Sequence, residues 1–380
     1  MDEADQMVSE EHNFIDNGTG IEPEDMIGEE RITDPFNPAL IRIDTRPMSI
    51  DQLLGRIEHN ELDLQPRFQR KGGVWTNGAK SRLIESLLLR IPLPAFYVSA
   101  TDDDKWLVVD GLQRLTTLKN FILDNTLKLC ELEFFPFFIG KTYADLPPPM
   151  QRRITQTQVT VYLIEGGTPS AVKFNVFKRI NTGWLPLSAQ EIRHALNKGI
   201  AAEILAQLAL SAEFKKAVDN SIRDDRMADR ECVLRFFAFT LVPYIEYKSK
   251  EFDSFLNDCM KTMNTLPDHE MEQLRQRFLK AMVTAWAIFG TDAFRKRYKI
   301  GASRYPINKA LFESWSVNLG QLSDEQIHVL IERKDMLQGR FIDLMNTRDF
   351  DEAISQGTSD IKKVHNRFRA IQQLIEEVLA

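Results

Sequence analysis

Short apolar runs mark the strands in the first half of the chain. The segments AFYVSA, WLVVD and QVTVYLIE are rich in β-branched and aromatic residues, and the polar turn TDDDK separates the first two. Segments of this length and composition, bounded by turn residues, are typical of β-strands. The pattern therefore predicts three strands in this part of the chain.

Apolar residues at helical spacing surround these strands. The stretch PMSIDQLLGRIEHNELDL is first helix-like and then extended. A helix capped by Asn77 follows, and the prolines of IPLP end it. Another helix starts at Thr168 and ends at NTG, where Gly183 provides a left-handed terminus. Ser188 and Glu191 have the spacing of a capping box, which predicts the start of one more helix.

The second half of the chain has only helical patterns. The segments ADRECVLRFFAFTLVPYI, MEQLRQRFLKAMVTAWAIF, DEQIHVLIERKDMLQGRFIDLM and KKVHNRFRAIQQLIEEVL all place apolar residues three and four positions apart. The sequence therefore predicts a mixed α/β domain over residues 37–200 and an all-α helical domain over residues 201–380.

Charge changes the picture at the N-terminus. Residues 1–36 carry twelve acidic residues against the single Arg31, so this segment has a charge of −11 and the rest of the chain +4. Few apolar residues and a high net charge favour a disordered tail over residues 1–36. The mildly basic remainder leaves room for a phosphate-bearing partner.

Other classes of protein are disfavoured. No apolar run approaches the roughly 20 residues that a membrane-spanning helix needs. The start MDEADQMVSEEH does not resemble a secretory signal, so we expect a cytoplasmic protein. Cys130, Cys232 and Cys259 lie far apart, without CxxC or histidine spacing, which argues against disulfides and structural zinc.

The stretch WLVVDGLQRLTTLKNFIL is the main candidate site, because a strand there meets a helix at a glycine turn. The first turn of a helix presents free N–H groups and the positive end of its dipole, which favour phosphate. Gly111 would allow close approach, Arg114 would bind phosphate oxygens, and Gln113 would orient a phosphate or a water. Asp110 would hold a metal-bound water or cap the helix. The alternative is an ordinary Asp-Gly turn before an amphipathic helix.

A basic segment lies upstream. No acidic residue falls between Asp63 and Glu85, whereas LQPRFQRKGGVWTNGAKSR supplies five cations. This pattern indicates an anion site, with Trp75 available to stack on a base. The alternative is a basic surface beside an aromatic core residue. The cations are Arg67, Arg70, Lys71, Lys80 and Arg82.

Four blocks then resemble a known family. FQRKGGVW, KSRLIESLLLRIPLPAFYV, VVDGLQRLTTL and VFKRINTGWLPLSAQEIRHAL are similar, in this order, to the domain of unknown function 262 family, the GmrS-like subunit of GmrSD-type modification-dependent restriction systems. Similarity continues through RECVLRFFAF, DAFRKRY and INKALFESWSVNL. The family resembles the ParB and sulfiredoxin superfamily in turn. The resemblance thus implies a ParB/sulfiredoxin-like domain before the helical one.

The resemblance implies nucleotide binding and hydrolysis in defence against foreign DNA. The family's Asp-Gly-Gln-Gln-Arg motif falls on Asp110 to Arg114, and Leu112 replaces its first glutamine, which weakens the implied hydrolysis more than the binding. A reductase is excluded because no cysteine lies in the motif. The implied catalytic residues are Asp110, Gln113 and Arg114, with Asp110 also a Mg²⁺ ligand. The residue patterns and the resemblance together predict nucleotide binding by Arg67, Gln69, Arg70, Trp75, Lys80, Arg82, Gly111, Thr116 and Asn181.

Many relatives pair this module with a His-Asn-His nuclease, but we find no such site here. His365 and Asn366 of VHNRF lie in a continuous helical pattern and are interpreted as surface residues. A separate nuclease subunit is therefore a candidate partner. Two basic segments could follow double-stranded DNA, and the acidic tail could cover the first of them when DNA is absent. They contain Arg295, Lys296, Arg297, Lys299, Arg304 and Lys309, and then Lys362, Lys363, Arg367 and Arg369.

Together these observations predict a nucleotide-binding protein, a weak NTPase with Mg²⁺, acting as sensor or regulator of a DNA-directed, anti-phage restriction system. ATP, GTP and CTP are not distinguished, and a homo-oligomer is left open. The alternative is a non-catalytic DNA-binding or adaptor protein that uses the nucleotide only as a switch. Replacing Arg114 by Ala is expected to abolish nucleotide binding without unfolding the chain.

Overall fold

A computed structural model describes nine stretches of the chain and divides it into two compact units. One unit comprises residues 34–196, and the other comprises residues 197–380 together with the first 33 residues. The first unit is mixed α/β and the second is helical, as the sequence predicts. The described residues are 20–24, 42–64, 75–100, 105–180, 188–197, 199–223, 226–248, 251–301 and 303–380.

A mixed five-stranded sheet forms the centre of the α/β unit. Its order is β1-β5-β3-β4-β2. β1 is antiparallel to β5, β5 parallel to β3, β3 antiparallel to β4, and β4 parallel to β2. The strands are β1 (Ile43–Ser49), β2 (Leu62–Asp63), β3 (Phe96–Ala100), β4 (Trp106–Asp110) and β5 (Gln158–Ile164).

The three expected strands, β3, β4 and β5, are confirmed, whereas the edge strand β1 was not predicted. Its sequence IDTRPMS is mostly exposed and has no apolar alternation. Pro47 lacks a backbone N–H, which an edge position tolerates. Pairing with β5, and not its own pattern, makes this segment a strand.

Among the described residues of this unit, six α-helices surround the sheet, and their caps test the sequence predictions. The Thr76 hydroxyl, not Asn77, caps α2 by accepting from the Ala79 N–H at 3.2 Å. The capping box is confirmed, since the Glu191 N–H donates to Ser188 Oγ at 3.1 Å. The helices are α1 (Ile50–Glu58), α2 (Asn77–Leu88), α3 (Leu112–Leu118), α4 (Pro148–Thr155), α5 (Ser170–Ile180) and α6 (Ala189–Leu196). A π-helical turn, Lys119–Leu123, continues α3.

Each face of the sheet has its own apolar cluster, because successive strand residues point to opposite faces. Phe96 and Val98 of β3 pack in the cluster that includes α1 and α2. Val109 of β4 and Ile164 of β5 pack with Phe177 of α5 in the other. The end of β4, where the candidate site begins, therefore lies between two packed layers.

In the described part of the second unit, ten α-helices pack around a continuous apolar core. The pattern DEQIHVLIERKDMLQGRFIDLM forms two helices, because the backbone leaves helical geometry at Arg333. No strand follows β5 in the described stretches. The helices are α7 (Ile200–Ala209), α8 (Ala212–Ala217), α9 (Ala228–Leu241), α10 (Phe252–Met263), α11 (Asp268–Phe289), α12 (Lys309–Gly320), α13 (Asp324–Glu332), α14 (Lys334–Met345), α15 (Arg348–Ser355) and α16 (Ile361–Leu379). Among described residues, no helix is both long and apolar enough to cross a bilayer.

Residues 20–24 differ from the predicted disorder. Ile21 is only 3% exposed and belongs to the core of the helical unit. Its backbone forms a parallel bridge with Ile307. The prediction of a disordered tail over residues 1–36 is therefore wrong for these five residues. Composition could not reveal their order, because their partners lie more than 190 residues further along the chain.

Candidate functional site

The candidate site begins where β4 ends and α3 starts. Gly111 occupies the junction with a left-handed φ of 101°, and the Leu115 N–H donates to its carbonyl at 2.9 Å. A Cβ at this position would lie 2.4 Å from Cδ1 of Phe96. Glycine is thus required here by the backbone angle and by the ring of Phe96. The Phe96 ring therefore occupies the side of the Gly111 α-carbon that a larger side chain would need.

Arg114 links the turn to the residues before β3. Its guanidinium donates to Asp110 Oδ2 at 2.8 Å, to the Ala95 carbonyl at 3.1 Å and to the Pro94 carbonyl, and it lies over the Phe96 ring at 4.5 Å. The residue is only 9% exposed. Burial lowers the pKa of Arg114, and the adjacent Asp110 carboxylate opposes this shift. Arg114 is therefore an internal crosslink.

Gln113 brings the turn together with the end of the basic segment. Its Oε1 lies 3.4 Å from the backbone nitrogen of Trp75, within hydrogen-bonding distance. Both residues are half-buried. The two segments predicted to cooperate are therefore neighbours at this point, 38 residues apart in sequence.

The other predicted binding residues are spread over α2 and α3, which pack against each other. Lys80 on α2 and Thr116 on α3 are half-buried, and Arg82 is exposed. Among the described residues, no hydrogen bond or ion pair joins these three side chains to the Gly111 turn. The predicted site residues Arg67, Gln69, Arg70 and Asn181 lie outside the described residues.

Tyr97 is a neighbour of the site that the sequence did not indicate. It pairs with Asp110 across β3 and β4, and its ring stacks on Tyr162 at 4.9 Å. Burial, followed by the proximity of Tyr162 and Asp110, raises the pKa of Tyr97. The phenol therefore stays protonated at neutral pH and remains a hydrogen-bond donor. Because successive residues of a strand point to opposite faces, Tyr97 and Phe96 lie on opposite faces of β3. This alternation is the sequence feature from which the position of Tyr97 could have been predicted.

A second unpredicted feature is a buried polar group on α6. Gln190 and Arg193 are 0% and 1% exposed, and Arg193 donates to Gln190 Oε1 at 3.0 Å. The Arg193 guanidinium also lies 5.5 Å from the Phe174 ring centroid. The segment QEIRHAL has the composition of a solvated helix, so its burial could not be predicted from the sequence.

The arrangement offers one carboxylate for a metal. Within the described stretches, no group of three or more His, Cys, Asp or Glu residues lies together. Asp110 uses Oδ2 to accept from Arg114, and no donor is found at its Oδ1 within the described stretches. One or two carboxylates with phosphate oxygens and waters are a common Mg²⁺ environment. Asp110 thus fits a Mg²⁺ ion only if a nucleotide supplies further ligands.

The basic segments expected to follow DNA are largely engaged inside the helical unit. Arg295 is 3% exposed and donates to Ser221 Oγ at 2.7 Å. Lys296 and Lys309 are ion-paired with acidic residues of the N-terminal segment. Arg367, in the second basic segment, is completely buried. Tertiary contacts therefore remove these four cations from the predicted DNA surface.

The remaining cations of the first basic segment divide into two groups. Arg297 pairs with Asp292, and Arg304 pairs with Asp219 at 2.5 Å. Lys299 is exposed. A continuous basic surface as predicted from FRKRYKIGASRYPINK is therefore not formed by the described residues.

His365 and Asn366 lie within α16, so their helical placement is confirmed. Asn366 is exposed and donates to the Asp349 carbonyl at 3.1 Å. His365 is half-buried and its ring meets that of Tyr244 edge-on. The interpretation as surface residues is accurate for Asn366 and only partly so for His365.

Comparison with known proteins gives a family match within the first of the two units. Residues 50–197 match the model of the GmrSD restriction endonuclease N-terminal domain. No curated protein matches the chain. A solved Pnob8-like ParB-N domain is similar at 14% identity and a TM-score of 0.22, covering 90% of this chain and 99% of that one, a similarity too low to add to the fold described above. Residues 50–197 are therefore similar to the N-terminal domains of GmrSD restriction endonucleases.

Proposed function

We propose that the chain is a nucleotide-binding sensor or regulatory component of a restriction-type system that acts against foreign DNA. The family model that matches residues 50–197 supports this setting, because it describes a restriction endonuclease domain. Double-stranded DNA and a separate nuclease subunit are the partners that such a role requires.

The proposal of a nucleotide site rests on the contact between Gln113 and Trp75. This contact joins the first turn of α3 to the end of a segment that contains Arg67, Arg70 and Lys71. Free amides and the helix dipole attract phosphate, and nearby cations strengthen this attraction. Trp75 supplies an aromatic surface for the base.

The residues have different roles in this proposal. Gln113 and the amides of the first turn bind phosphate, and Lys80 adds positive charge. Arg114 does not bind phosphate but fixes the turn, because its donors are used by Asp110 and two carbonyls. The further proposed contacts are Arg67, Gln69, Arg70, Arg82, Thr116 and Asn181.

Mg²⁺ would neutralise charge on the phosphates when bound. Asp110 would hold it or one of its waters through Oδ1, while Oδ2 keeps the bond to Arg114. This pairing leaves Asp110 less available as a catalytic group. It favours the alternative function, a non-catalytic adaptor in which the nucleotide is only a switch.

Nucleotide titrations with full-length protein test the site. We expect one of ATP, GTP, CTP or UTP to bind with Mg²⁺, and Gln113→Ala and Lys80→Ala to weaken binding about tenfold, which corresponds to about 1.4 kcal/mol. Lys119→Ala is the control, because it removes a cation just after α3 that is paired with Asp124. Equal binding by all variants, or no binding of any nucleotide, would reject the site.

Release of phosphate from the bound nucleotide then separates the two functions. Asp110→Asn keeps the shape of the side chain and removes its charge. Turnover by the unmodified protein that Asp110→Asn abolishes would support an NTPase. Binding without turnover, with or without DNA, would support the adaptor.

A further inference from the structure

A groove on the helical unit holds residues 20–24 through an isolated parallel β-bridge between Ile21 and Ile307. The Glu22 N–H donates to the Ile307 carbonyl at 2.8 Å, and the Ile307 N–H donates to the Gly20 carbonyl at 3.2 Å. Peptides often bind proteins in this way, with main-chain bonds giving affinity and side-chain pockets giving specificity.

Two positions of the segment are fixed by shape. Ile21 is 3% exposed, packed in the core of the helical unit. Gly20 has a φ of 75°, and a Cβ there would lie 1.8 Å from the backbone oxygen of Ser221. The groove therefore accepts glycine followed by a buried aliphatic residue.

The first carboxylate of the segment has two side-chain donors. Lys296 Nζ lies 2.6 Å from Glu22 Oε1, and Asn308 Nδ2 donates to Glu22 Oε2 at 3.0 Å. The Lys296 side chain is 7% exposed. Asn308 also caps α12, so its position is set by the helix.

The second carboxylate, that of Glu24, has three side-chain donors. Arg235 donates to Glu24 Oε2 at 2.7 Å, Lys309 lies 3.3 Å from the same atom, and the Thr358 hydroxyl donates to Glu24 Oε1 at 3.0 Å. The Arg235 side chain is 4% exposed and that of Lys309 is 16% exposed. Removing one partner of such a buried pair leaves an uncompensated charge, which is costly.

From these contacts we infer that the groove is a recognition site for an acidic peptide of the pattern Gly-Ile-Glu-x-Glu, and that residues 20–24 occupy it in cis. Each position of the pattern has its own partner. The Ser221 backbone excludes a side chain at the first position, and the second side chain packs in the core of the helical unit. The two groups of side-chain donors described above bind the two carboxylates. The docked segment pairs with Lys296 and Lys309, two cations that were predicted from the sequence to contact DNA.

Binding of a labelled peptide to full-length protein tests this inference. The peptide contains residues 18–27, GTGIEPEDMI. We expect weak binding to the unmodified chain, whose groove is occupied, and at least tenfold tighter binding to Gly20→Ala, whose own segment no longer fits. Faster hydrogen exchange of the Glu22 amide in Gly20→Ala verifies that the segment has left the groove.

Three controls define specificity. In the Gly20→Ala background, Lys309→Met should weaken peptide binding at least tenfold, whereas Lys299→Met, which removes an exposed cation, should leave it unchanged. A peptide with both glutamates changed to glutamine should also bind at least tenfold more weakly. Should Gly20→Ala fail to fold, the variant Glu22→Gln/Glu24→Gln replaces it with the same measurements.

Several results would overturn the inference. They are absence of peptide binding when the Glu22 amide exchanges freely, unchanged protection of that amide in Gly20→Ala, and equal binding to the Lys309→Met variant. Displacement of the labelled peptide by inorganic phosphate or duplex DNA as readily as by unlabelled peptide would indicate a general anion site instead.

Discussion

Arg114 illustrates how one residue type serves two different chemistries. A guanidinium after a glycine turn suits phosphate, but the same donors suit backbone carbonyls and a carboxylate. Here the partners are Pro94, Ala95 and Asp110. The sequence-based expectation that Arg114→Ala would leave the fold intact therefore needs revision.

We expect Arg114→Ala to lower the free energy of unfolding of the α/β unit by about 3 kcal/mol, because it leaves a carboxylate and two carbonyls without their donor. Urea unfolding measures this change. Arg82→Ala, which removes an exposed cation on α2, should stay within about 0.5 kcal/mol of the unmodified protein. A loss of only about 0.5 kcal/mol in Arg114→Ala would contradict the role of Arg114 as an internal crosslink.

Glu24 should remain ionised at unusually low pH. Burial opposes its charge, but Arg235 and Lys309 outweigh burial and lower the pKa of Glu24 from 4.5 to about 2. Its ionisation therefore stabilises the docked segment fully above pH 4.5, and this contribution is lost as the pH falls towards 2. The ¹³C shift of the Glu24 carboxyl should show no titration near pH 4.5. A midpoint there would contradict the docked geometry.

At the scale of elements, a buried carboxylate on α2 fixes a distant loop. Glu85 is 4% exposed and accepts from the backbone N–H groups of Glu133, Phe134 and Phe135 at 3.2, 2.7 and 3.1 Å. The loop is rich in phenylalanine, and its sequence does not indicate that its backbone N–H groups bind a carboxylate on α2. Its shape is therefore set by α2.

Glu85→Gln should lower the free energy of unfolding by about 2–3 kcal/mol, because an NH₂ group replaces one of the oxygens that face these donors. Urea unfolding gives the size of the effect, and faster hydrogen exchange of the Phe134 amide locates it. Glu58→Gln, an exposed change at the end of α1, is the control. Unchanged exchange at Phe134 would show that Glu85 does not hold the loop.

At the scale of the whole molecule, a buried ionic network joins three helices of the second unit. Glu313 of α12 is 0% exposed and pairs with Arg235 of α9 at 3.2 Å and with Arg367 of α16. The same Arg235 side chain also donates to the carboxylate of Glu24. Docking of the N-terminal segment therefore completes the charge balance of this network.

Glu313→Gln should lower the free energy of unfolding by about 3–5 kcal/mol, since it leaves buried guanidinium groups partly uncompensated. Glu377→Gln breaks the exposed pair with Arg340 and should cost under about 1 kcal/mol. Both effects can be read from the unfolding transition of the helical unit. Similar losses in the two variants would show that burial does not determine the strength of these pairs.

The course of the chain also belongs to this scale. Residues 20–24 group with the helical unit, the chain then enters the α/β unit, and it returns to the helical unit at Asn197. The α/β unit is therefore an insertion between two parts of the helical unit. A sequence divided into consecutive domains could not predict this.

The sequence by itself determined the elements that have a strong local signal. The strands β3, β4 and β5 follow from short runs of β-branched and aromatic residues, and Ser188 with Glu191 starts α6. The glycine turn at Gly111 was also predicted, from the Asp-Gly pair between an apolar run and an amphipathic helix, and glycine tolerates the left-handed φ found there. These features depend on neighbours within a few residues, so periodicity and capping are sufficient to find them.

Only the tertiary structure decided which charged side chains are free to bind a ligand and which are engaged inside the protein. Arg114, Arg295 and Arg367 look like solvent-facing cations in sequence, yet carbonyls, hydroxyls and carboxylates from distant segments enclose them. Glu24 and Glu85 likewise look like ordinary surface acids. A charge enters the interior only when partners compensate for its lost hydration. Because those partners lie far apart along the chain, no local pattern encodes their meeting.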